Sequence, residues 1–535
     1  MVVPELRPWR AARPRVARVA DAVRPRLTRV VAVARPRVTR LTRALKPQVK
    51  GAATWQYTTG ATVVGLALTA GAVTVAGPWD SSGQRTSERA RAVAAEQAGG
   101  ADHGRNSGTS DSSNSSGGSD TAAGAPRPAP SAASVLTGLG AETVRSAPNG
   151  PSLTEVLGPL LGDPALGARR AASVVDLGTG KRLHGSATGE TFIPASTTKL
   201  PTAVAALAAL GPDHRLTTRA AYEPDTGELV LVGGGDPTLT AREDAAGPAS
   251  LRTLAARTAA ALAERDVRQV TLSYDTTLYA GTDLHTIGVN DNLARVTPLM
   301  ADEGRTDDST RGPVLRVPDP AAEATRAFAG FLEDHGIEST APGPSKATGR
   351  AETLATVSSP PVSALVERML TNSDNDLSEH LARHTAIASG ERPDFDGAGR
   401  AIHARLEKLG LPLDGAVFKD GSGLSRDNRL SADLLTALLV TAADPARPEL
   451  RPALTGLPVA GFTGTLTSRY TDGAAGVVRA KTGTLTGVNT LAGTVVTADG
   501  RLLAFAFLSS ETVDPYAAQA ALDRAATALA GCGCG

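Results

Sequence analysis

From residue 169 onward, apolar and polar positions first alternate and then change to a helical period. Residues 169–177 predict a strand, and residues 181–184 predict its antiparallel partner across a Gly-Thr-Gly turn. Apolar side chains then recur at helical spacing at Ala203, Val204, Leu207 and Leu210. The pattern therefore predicts a helix that begins at Ser196, with an irregular first turn because Pro201 lacks a backbone donor.

A second group of elements is predicted near the C-terminal end of the chain. Three short apolar runs predict strands at 477–481, 488–496 and 502–508. Asp499-Gly500, between the last two strands, is a strong hairpin signal. Amphipathic patterns predict helices at 377–388 and at 515–529, the second of which can cover the sheet. Lys481 is then predicted to lie on an edge strand that faces the helix carrying Ser196. These elements indicate an α/β fold of the α+β type, with an antiparallel sheet flanked by helices and a helical lobe.

The segment between these two groups has a strand and helix pattern of its own. Its predicted strands are 216–222, 229–232 and 267–274, and its predicted helices are near 250–264 and 321–334. Because this pattern is complete in itself, residues 213–350 are predicted to form an inserted α/β module. Residues 133–212 and 351–535 are then the two parts of the main domain.

The first 50 residues differ from the rest of the chain in charge. They hold 14 arginines and lysines against two acidic residues, whereas the whole chain has a net charge of only +1. An Arg-Pro or Lys-Pro pair recurs every 11 residues, starting at positions 13, 24, 35 and 46. Residues 1–50 are thus predicted to be either short amphipathic helices on an anionic membrane or a disordered basic tail. The acidic remainder argues against a nucleic-acid partner.

An uncharged segment of bilayer length follows at residues 58–78. Trp55, Tyr57 and Trp79 flank it, as expected for aromatic side chains at the two membrane interfaces. A cleaved signal peptide is the alternative, although a charged region of 50 residues is long for a signal. With an anchor here, the positive-inside rule predicts a single-pass protein of the cell membrane, with a cytoplasmic N-terminus and an extracellular main domain.

Residues 79–132 are rich in Ser, Gly, Asp and Pro. Such a composition cannot bury a core, so this segment is predicted to be a disordered linker. The sequence contains two cysteines, Cys532 and Cys534, and their Cys-Gly-Cys spacing is too tight for an easy structural bridge. We therefore expect an unbridged tail; the pair also lacks further ligands for a metal.

Three short motifs occur in one order along the chain. They are Ser-Thr-Thr-Lys at 196–199, Ser-Asp-Asn at 373–375 and Lys-Thr-Gly-Thr at 481–484. Each motif alone is weak evidence, but their joint order is informative. Lysine is rare in this chain, with 8 lysines against 47 arginines, and yet two of the eight stand in these motifs. An amine can lose its proton at an attainable pH, whereas a guanidinium cannot.

These residue types suit nucleophilic catalysis of acyl transfer. Lys199 lies one helical turn after Ser196 and can accept the proton of its hydroxyl. Burial and the second cation, Lys481, can lower the pKa of Lys199 far enough for this task. Ser373 can relay the proton onward, and Asn375 can hold a substrate amide. Lys481 is also predicted to form, with Thr482, Gly483 and Thr484, a positively charged and hydroxyl-lined binding site for a substrate carboxylate.

With these motifs the chain resembles the penicillin-binding proteins and serine β-lactamases, and more closely the D-alanyl-D-alanine carboxypeptidase/endopeptidase family of low-molecular-mass class C. The resemblance extends from about residue 169 to residue 529. Five stretches support it: PASTTKL at 194–200, LVGGGDPTL at 231–239, DGSGLSRDNRLSA at 420–432, LPVAGFTGTL at 457–466 and RAKTGTLTGVNTLAG at 479–493. It implies a penicillin-binding-protein/serine β-lactamase-like fold.

The resemblance also implies roles for single residues. Ser196 would be the acylated nucleophile. Arg426 would meet a side-chain carboxylate of the substrate, with Leu424 lining the same pocket, although an arginine of a structural turn is the alternative. Asp275 and Tyr279 would match a lip that the inserted domain contributes to the site.

The leading hypothesis is an exported, membrane-anchored serine DD-peptidase that cleaves stem peptides of peptidoglycan through an acyl-enzyme at Ser196. By the resemblance, β-lactams would be its covalent inhibitors, and no cofactor or metal is expected. A β-lactamase or esterase of the same fold is one alternative, but no carboxylate after Ser196 falls in a motif that would activate water. A non-catalytic peptidoglycan-binding scaffold is the other, and the three intact motifs argue against it.

Overall fold

The computed structural model of the chain describes residues 152–243, 247–340, 343–470 and 473–533. The basic tail predicted at 1–50, the span at 58–78 and the linker at 79–132 lie outside these ranges and stay predictions. Within the described ranges, every helix is too short or too polar to cross a membrane.

The described elements are numbered here in chain order. The helices are α1 (Leu153–Leu161), α2 (Lys199–Leu210), α3 (Leu251–Ala263), α4 (Pro320–Glu333), α5 (Val362–Asn372), α6 (Asn375–Ser389), α7 (Phe395–Lys408), α8 (Ala432–Ala443), α9 (Pro452–Thr455) and α10 (Pro515–Gly531). The strands are β1 (Arg169–Asp176), β2 (Arg182–Ser186), β3 (Thr191–Phe192), β4 (Thr217–Glu223), β5 (Glu228–Val232), β6 (Gln269–Asp275), β7 (Glu338–Ser339), β8 (Gly343–Pro344), β9 (Glu352–Ser358), β10 (Leu430–Ser431), β11 (Val478–Leu485), β12 (Val488–Val496) and β13 (Leu502–Ser510).

A five-stranded antiparallel sheet forms the centre of the main domain, in the order β11-β12-β13-β1-β2. The first and last strands of the domain pair directly, with Arg169 opposite Ser510 and Asp176 opposite Leu503. Side chains of β13 alternate between two cores, since Phe505 and Phe507 pack with α1 and α10 while residues between them pack with the helical lobe. The sheet is therefore covered on both faces, and β11 is left at its edge.

The helical lobe is built around α2 and α6. Helix α2 is buried from Lys199 to Leu207, and α6 is buried from Asp376 to Ala386, so both helices run through the core and not along its surface. Helices α5, α7 and α8 pack around them in one apolar cluster. The two ends of these helices that carry the predicted motifs thereby meet at the edge of the central sheet.

A second sheet lies between α2 and α5 in sequence. It has the order β7-β6-β5-β4-β9, with β8 paired to β6, and it combines parallel and antiparallel strands. Helices α3 and α4 cover it and share a separate apolar core with it. Strand β9 pairs with β4 in this sheet, so the second sheet extends to Ser358, beyond residue 350, where the inserted module was predicted to end.

The structure confirms the predicted mixed α/β fold with antiparallel sheets and flanking helices. The irregular start of the helix at Ser196 is a 3-10 turn, Ala195–Thr198, that continues into α2. The expectation of an unbridged tail is wrong for Cys532, which is buried in the core under α10 and disulfide-bonded.

Candidate active site

Ser196 lies on the tight 3-10 turn that precedes α2. Two hydroxyls stabilise this turn from inside, since Thr197 donates to the Pro194 carbonyl at 2.7 Å and Thr198 donates to the Ala195 carbonyl at 2.8 Å. Ala195 has a φ of 48°, a left-handed conformation that is unfavourable for alanine. Such conformations occur where the surrounding structure fixes a functional group, and here the turn presents the half-buried Ser196 to the cleft.

Lys199 stands directly beneath Ser196 and is completely buried. Its Nζ lies 3.2 Å from Ser196 Oγ, which is within hydrogen-bond reach. The same amine contacts the Asn375 side-chain oxygen and the Ser422 carbonyl oxygen, each at 2.7 Å. These three contacts fix the amine in one position, where its free pair can be directed at the serine hydroxyl once a proton has been lost.

Burial lowers the pKa of Lys199 to about 8, against its ordinary value of 10.5. Four carboxylates act in the opposite direction and keep the pKa from falling further, and they belong to Asp420, Glu379, Asp374 and Asp376. A pKa near 8 suits a general base that works close to neutral pH. The sequence predicted a lowered pKa at this position, and the main cause is burial.

Acylation at Ser196 is expected to rise with pH through about pH 8, because only neutral Lys199 can accept the serine proton. A group with this pKa is about one-tenth neutral at pH 7 and mostly neutral at pH 9, so the rate should increase roughly tenfold over that interval. Stopped-flow acylation by a β-lactam between pH 6 and 9.5 measures this. The variant Glu379→Gln, which removes one stabilising carboxylate, should move the midpoint to lower pH; a rate independent of pH would contradict the assignment.

Ser373 lies in the sharp turn between α5 and α6. Its φ of 59° is left-handed and ends α5, while the next residue, Asp374, caps α6 by accepting from Leu377 N at 3.0 Å. Asn375 is the first residue of α6 and bridges two parts of the chain. Its oxygen accepts from Lys199, and its Nδ2 donates to the Asn292 carbonyl at 2.9 Å. The middle motif is thus fixed from both sides.

Lys481 lies on β11, the edge strand of the central sheet, as predicted. It is completely buried, and its Nζ donates to Ser373 Oγ at 3.0 Å and to the Thr482 carbonyl at 2.8 Å. Burial, with repulsion from Lys199 and Arg469, holds the pKa of Lys481 well below its ordinary value. Lys199 therefore contacts Ser196, and Lys481 contacts Ser373.

Gly483 allows β11 to approach the Ser196 turn closely. A Cβ atom at this position would lie 2.1 Å from Thr490 Oγ1, 2.7 Å from the Pro194 oxygen and 3.1 Å from Ser196 N. Thr490 itself donates to that Pro194 oxygen at 2.8 Å, so β12 also supports the turn. The edge strand and the nucleophile are in backbone contact, which only glycine permits here.

An open cleft of about 670 Å³ leads to Ser196. Four residues that were assigned to the site line it, namely Ser373, Asn375, Leu424 and Thr484, and their roles stay predictions. Arg426 is placed differently: it is exposed and is not among the lining residues, and its guanidinium donates to the Thr486 carbonyl at 2.9 Å. A role for Arg426 in reading a substrate carboxylate stays a prediction.

The expectation of a lip formed by Asp275 and Tyr279 is not supported. Asp275 is buried and accepts from two backbone N–H groups of neighbouring loops. The Tyr279 hydroxyl lies 3.1 Å from His380 Nδ1 on α6, among groups that are shielded from solvent. Asp275 therefore supports loops beside the second sheet, Tyr279 joins the inserted segment to the helical lobe, and neither is among the residues that line the cleft.

A buried cluster of three acids and three arginines, not foreseen from the sequence, lies behind the middle motif. Arg305 contacts Glu303 at 2.8 Å, Arg316 contacts Asp376 at 2.9 Å, and Arg368 contacts both Glu303 and Asp374. Burial and the neighbouring carboxylates raise the pKa of Glu303 to about 9. Because Glu303, Arg305 and Arg316 belong to the inserted segment, this cluster joins that segment to the turn that carries Ser373.

A second buried group supports the Ser422 carbonyl that Lys199 contacts. Glu379 of α6 accepts from the backbone N–H groups of Gly421 and Ser422, the latter at 2.8 Å. Asp420 accepts from His285 at 3.0 Å. In both buried groups the carboxylates lie close enough together to share a cation, and they also contact basic or N–H partners.

Comparisons with known proteins agree with this geometry. The chain matches the D-Ala-D-Ala carboxypeptidase 3 (S13) family over residues 153–311 and 303–529. It is 36% identical to a carboxypeptidase of Mycobacterium tuberculosis over 426 residues, which are 77% of this chain and 90% of that protein. It is 31% identical to the D-alanyl-D-alanine carboxypeptidase of an Actinomadura species over 451 residues, or 69% of this chain and 83% of the relative.

Among solved structures, the fold is similar to that of penicillin-binding protein 4 (dacB) from Haemophilus influenzae. The TM-score is 0.57 at 21% identity, with 70% of this chain and 97% of that chain covered. This likeness confirms the penicillin-binding-protein type of fold that the sequence motifs implied.

Proposed function

Because the chain belongs to the D-Ala-D-Ala carboxypeptidase 3 (S13) family and is a serine-type D-Ala-D-Ala carboxypeptidase, we propose that it removes the terminal D-alanine from peptidoglycan stem peptides. The observation that carries this proposal is the position of the fully buried Lys199 amine, 3.2 Å from Ser196 Oγ. Ser196 is the nucleophile and Lys199 is its base.

The first half of the reaction is acylation. Neutral Lys199 takes the proton of Ser196 as Oγ attacks the carbonyl carbon of the penultimate D-alanine. The tetrahedral intermediate collapses when the C–N bond breaks, and the leaving amine of the last D-alanine needs a proton. Ser373, 3.0 Å from the Lys481 amine, is placed to give its hydroxyl proton to that leaving amine and to recover a proton from the lysine amines, which passes on the proton that Lys199 took from Ser196. The product at this stage is an ester between Ser196 and the shortened peptide.

Recognition of the peptide end is assigned to β11. The carboxylate of the last D-alanine is seated by the positive charge of Lys481 and by the hydroxyls of Thr482 and Thr484, of which Thr484 lines the cleft. A water molecule then hydrolyses the ester and releases the peptide. Attack on a cross-link in place of a free end would use the same residues, so endopeptidase activity is a second outcome of the same site.

We also propose that β-lactams acylate Ser196 and inhibit the enzyme. A β-lactam presents a strained amide next to a carboxylate. The amide can react with the nucleophile while the carboxylate occupies the carboxylate-binding site on β11. The similar penicillin-binding protein 4 from Haemophilus influenzae has been crystallised in complex with a novel β-lactam. Slow hydrolysis of the acyl-enzyme would distinguish a peptidase from a β-lactamase of this fold.

Membrane anchoring through residues 58–78, and export of the main domain, complete the proposal. They rest on the uncharged segment, its aromatic flanks and the 14 basic residues before it. Reporter fusions at Gln48 and Ser119 test this topology. A mature protein whose N-terminus lies near Pro78 would show a cleaved signal peptide instead.

Two measurements on residues 133–535 test the enzymatic proposal. Penicillin should add its mass to one peptide, that of Ser196, and diacetyl-Lys-D-Ala-D-Ala should release one D-alanine per turnover. The variant Ser196→Ala should show neither reaction while keeping its melting temperature. Acylation by penicillin without release of D-alanine from any stem peptide would exclude the carboxypeptidase role.

A further inference from the structure

The cleft is lined by three arginines that come from one loop of the inserted segment, and two of them already have acidic partners. The side chains of Arg305 and Arg316 are buried, and they form ion pairs with Glu303 and Asp376. Arg311, at the tip of the same loop, is exposed and has no hydrogen bond or ion pair with any residue in the described ranges. Among the described residues it is the lining arginine without an acidic partner.

The loop holds Arg311 in a fixed place. The carbonyl that precedes it, of Thr310, accepts from Arg368 at 3.5 Å, and the one that follows it, of Gly312, accepts from Arg305 at 3.0 Å. Arg242 contacts three further loop carbonyls, those of Asp307, Asp308 and Ser309, at 3.0 to 3.1 Å. An antiparallel β-bridge between Arg305 and Arg316 joins the two ends of the loop. A preorganised backbone reduces the entropy that is lost when a flexible arginine side chain binds a ligand.

We propose that Arg311 binds a carboxylate of the stem peptide on the acyl side of the scissile bond, a proposal that rests on the proposed function. An arginine fork matches a carboxylate with two parallel hydrogen bonds. Arg311 and Ser196 line the same cleft, and an extended peptide advances only about 3.3 to 3.6 Å per residue, so we assign the residues just before the scissile bond to the part of the cleft beside the loop.

The chemistry of the substrate selects one carboxylate. The C-terminal carboxylate is assigned to Lys481 and the two threonines, and the side-chain carboxylate of the residue before D-Ala-D-Ala is the predicted partner of Arg426. A γ-linked D-glutamyl residue comes next in a stem peptide, and its α-carboxylate is free because the γ-carboxyl forms the peptide bond. This α-carboxylate is the group that we assign to Arg311.

Two synthetic peptides test the assignment. Both are acetyl-L-Ala-γ-D-glutamyl-(Nε-acetyl-L-Lys)-D-Ala-D-Ala, one with the free α-carboxylate and the other with its amide. The enzyme should prefer the free acid by about tenfold in kcat/KM, a modest ratio because the pair is exposed to solvent. Arg311→Ala should remove this preference through KM, with acylation by penicillin unchanged. The proposal would be overturned if the enzyme had equal kcat/KM values for both peptides. It would also be overturned if Arg311→Ala lowered kcat/KM equally for both.

Arg350→Ala is the matched control for charge. Arg350 is exposed, is not among the residues that line the cleft, and its loss changes the net charge by the same amount. It should keep the preference for the free acid; loss of the preference there would show a long-range charge effect and refute a direct contact by Arg311.

A binding measurement distinguishes a failure of this proposal from a failure of the proposed function. In a Ser196→Ala background, titration calorimetry with the two peptides measures affinity without turnover, and Arg311→Ala should weaken only the free acid, again about tenfold. If the active enzyme hydrolyses neither peptide but this difference in affinity is present, the proposed function fails and the carboxylate site stands. If hydrolysis occurs without the difference, the carboxylate site fails alone.

Discussion

Replacing Lys199 by arginine is expected to abolish acylation of Ser196, with a loss of roughly 10² to 10⁴ in rate from the missing general base alone. Arginine keeps the positive charge and has a similar reach, but it does not deprotonate at any pH at which the protein is folded. The amine lies 3.2 Å from the serine oxygen and has a pKa of about 8, so the natural residue is poised to lose its proton. The rate of penicillin acylation, measured by mass spectrometry on folded protein, gives the result.

Lys481→Arg is the matched control for this variant. Both lysines are completely buried, so the two substitutions insert the same extra volume in comparably packed places. The role assigned to Lys481 is to face a carboxylate with a positive charge, which arginine can still do, and a measurable fraction of the activity should remain. Equal activity of the two variants would mean that the base has been assigned wrongly. Their melting temperatures, compared with that of the unaltered enzyme, separate misfolding from lost chemistry.

The local parts of the site could be predicted from the sequence because they depend on short-range geometry. A helix places residues three apart on one face, which is why Ser196 and Lys199 meet. The apolar runs of the last strands, together with the helix predicted to cover them, indicated an edge strand for Lys481, and Pro201 explained the irregular turn. Ser373 and Lys481 were assigned to the same site from the order of the motifs, but the contact of 3.0 Å between them was not predicted.

The parts that could not be predicted depend on pairs that are far apart in sequence. Arg316 and Asp376 are 60 residues apart, and nothing in the local pattern around either one indicates the other. The same holds for His285, which reaches Asp420 from the inserted segment. One signal was available: Asp374 and Asp376 flank Asn375, and two buried acids at the start of a helix require basic partners. Because the chain contains many arginines, the sequence does not show which of them pair with these two acids.

These long-range pairs give the inserted segment a part in the catalytic site. Asp376 accepts from Ala294 N at 3.0 Å, and Asn375 donates to the Asn292 carbonyl. The same Asn375 contacts Lys199, so the loop near residue 292 is two hydrogen bonds away from the base. The segment that supplies Arg311 to the cleft therefore also positions the middle motif.

Gly483→Ala is expected to cost at least about 10² in acylation rate, because it separates β11 from the nucleophile. The added methyl would lie 2.1 Å from Thr490 Oγ1 and 2.7 Å from the Pro194 oxygen, and the second of these is backbone that cannot rotate away. The strand or the turn must move by a substantial part of an ångström, and a misplacement of 1 Å can cost about 10² in rate. Overpacking of this kind also destabilises the fold by about 1 to 3 kcal/mol.

Gly189→Ala is the control, since an added methyl at that position would meet no atom within 4 Å. It should leave both the acylation rate and the melting temperature close to those of the unaltered enzyme. In Gly483→Ala the loss of rate should greatly exceed what partial unfolding explains, and this can be checked by measuring acylation well below the melting temperature, where nearly all molecules are folded. An alanine variant with an unchanged rate would show that the contact between β11 and the Ser196 turn is not needed to align the nucleophile with the carboxylate-binding site on β11.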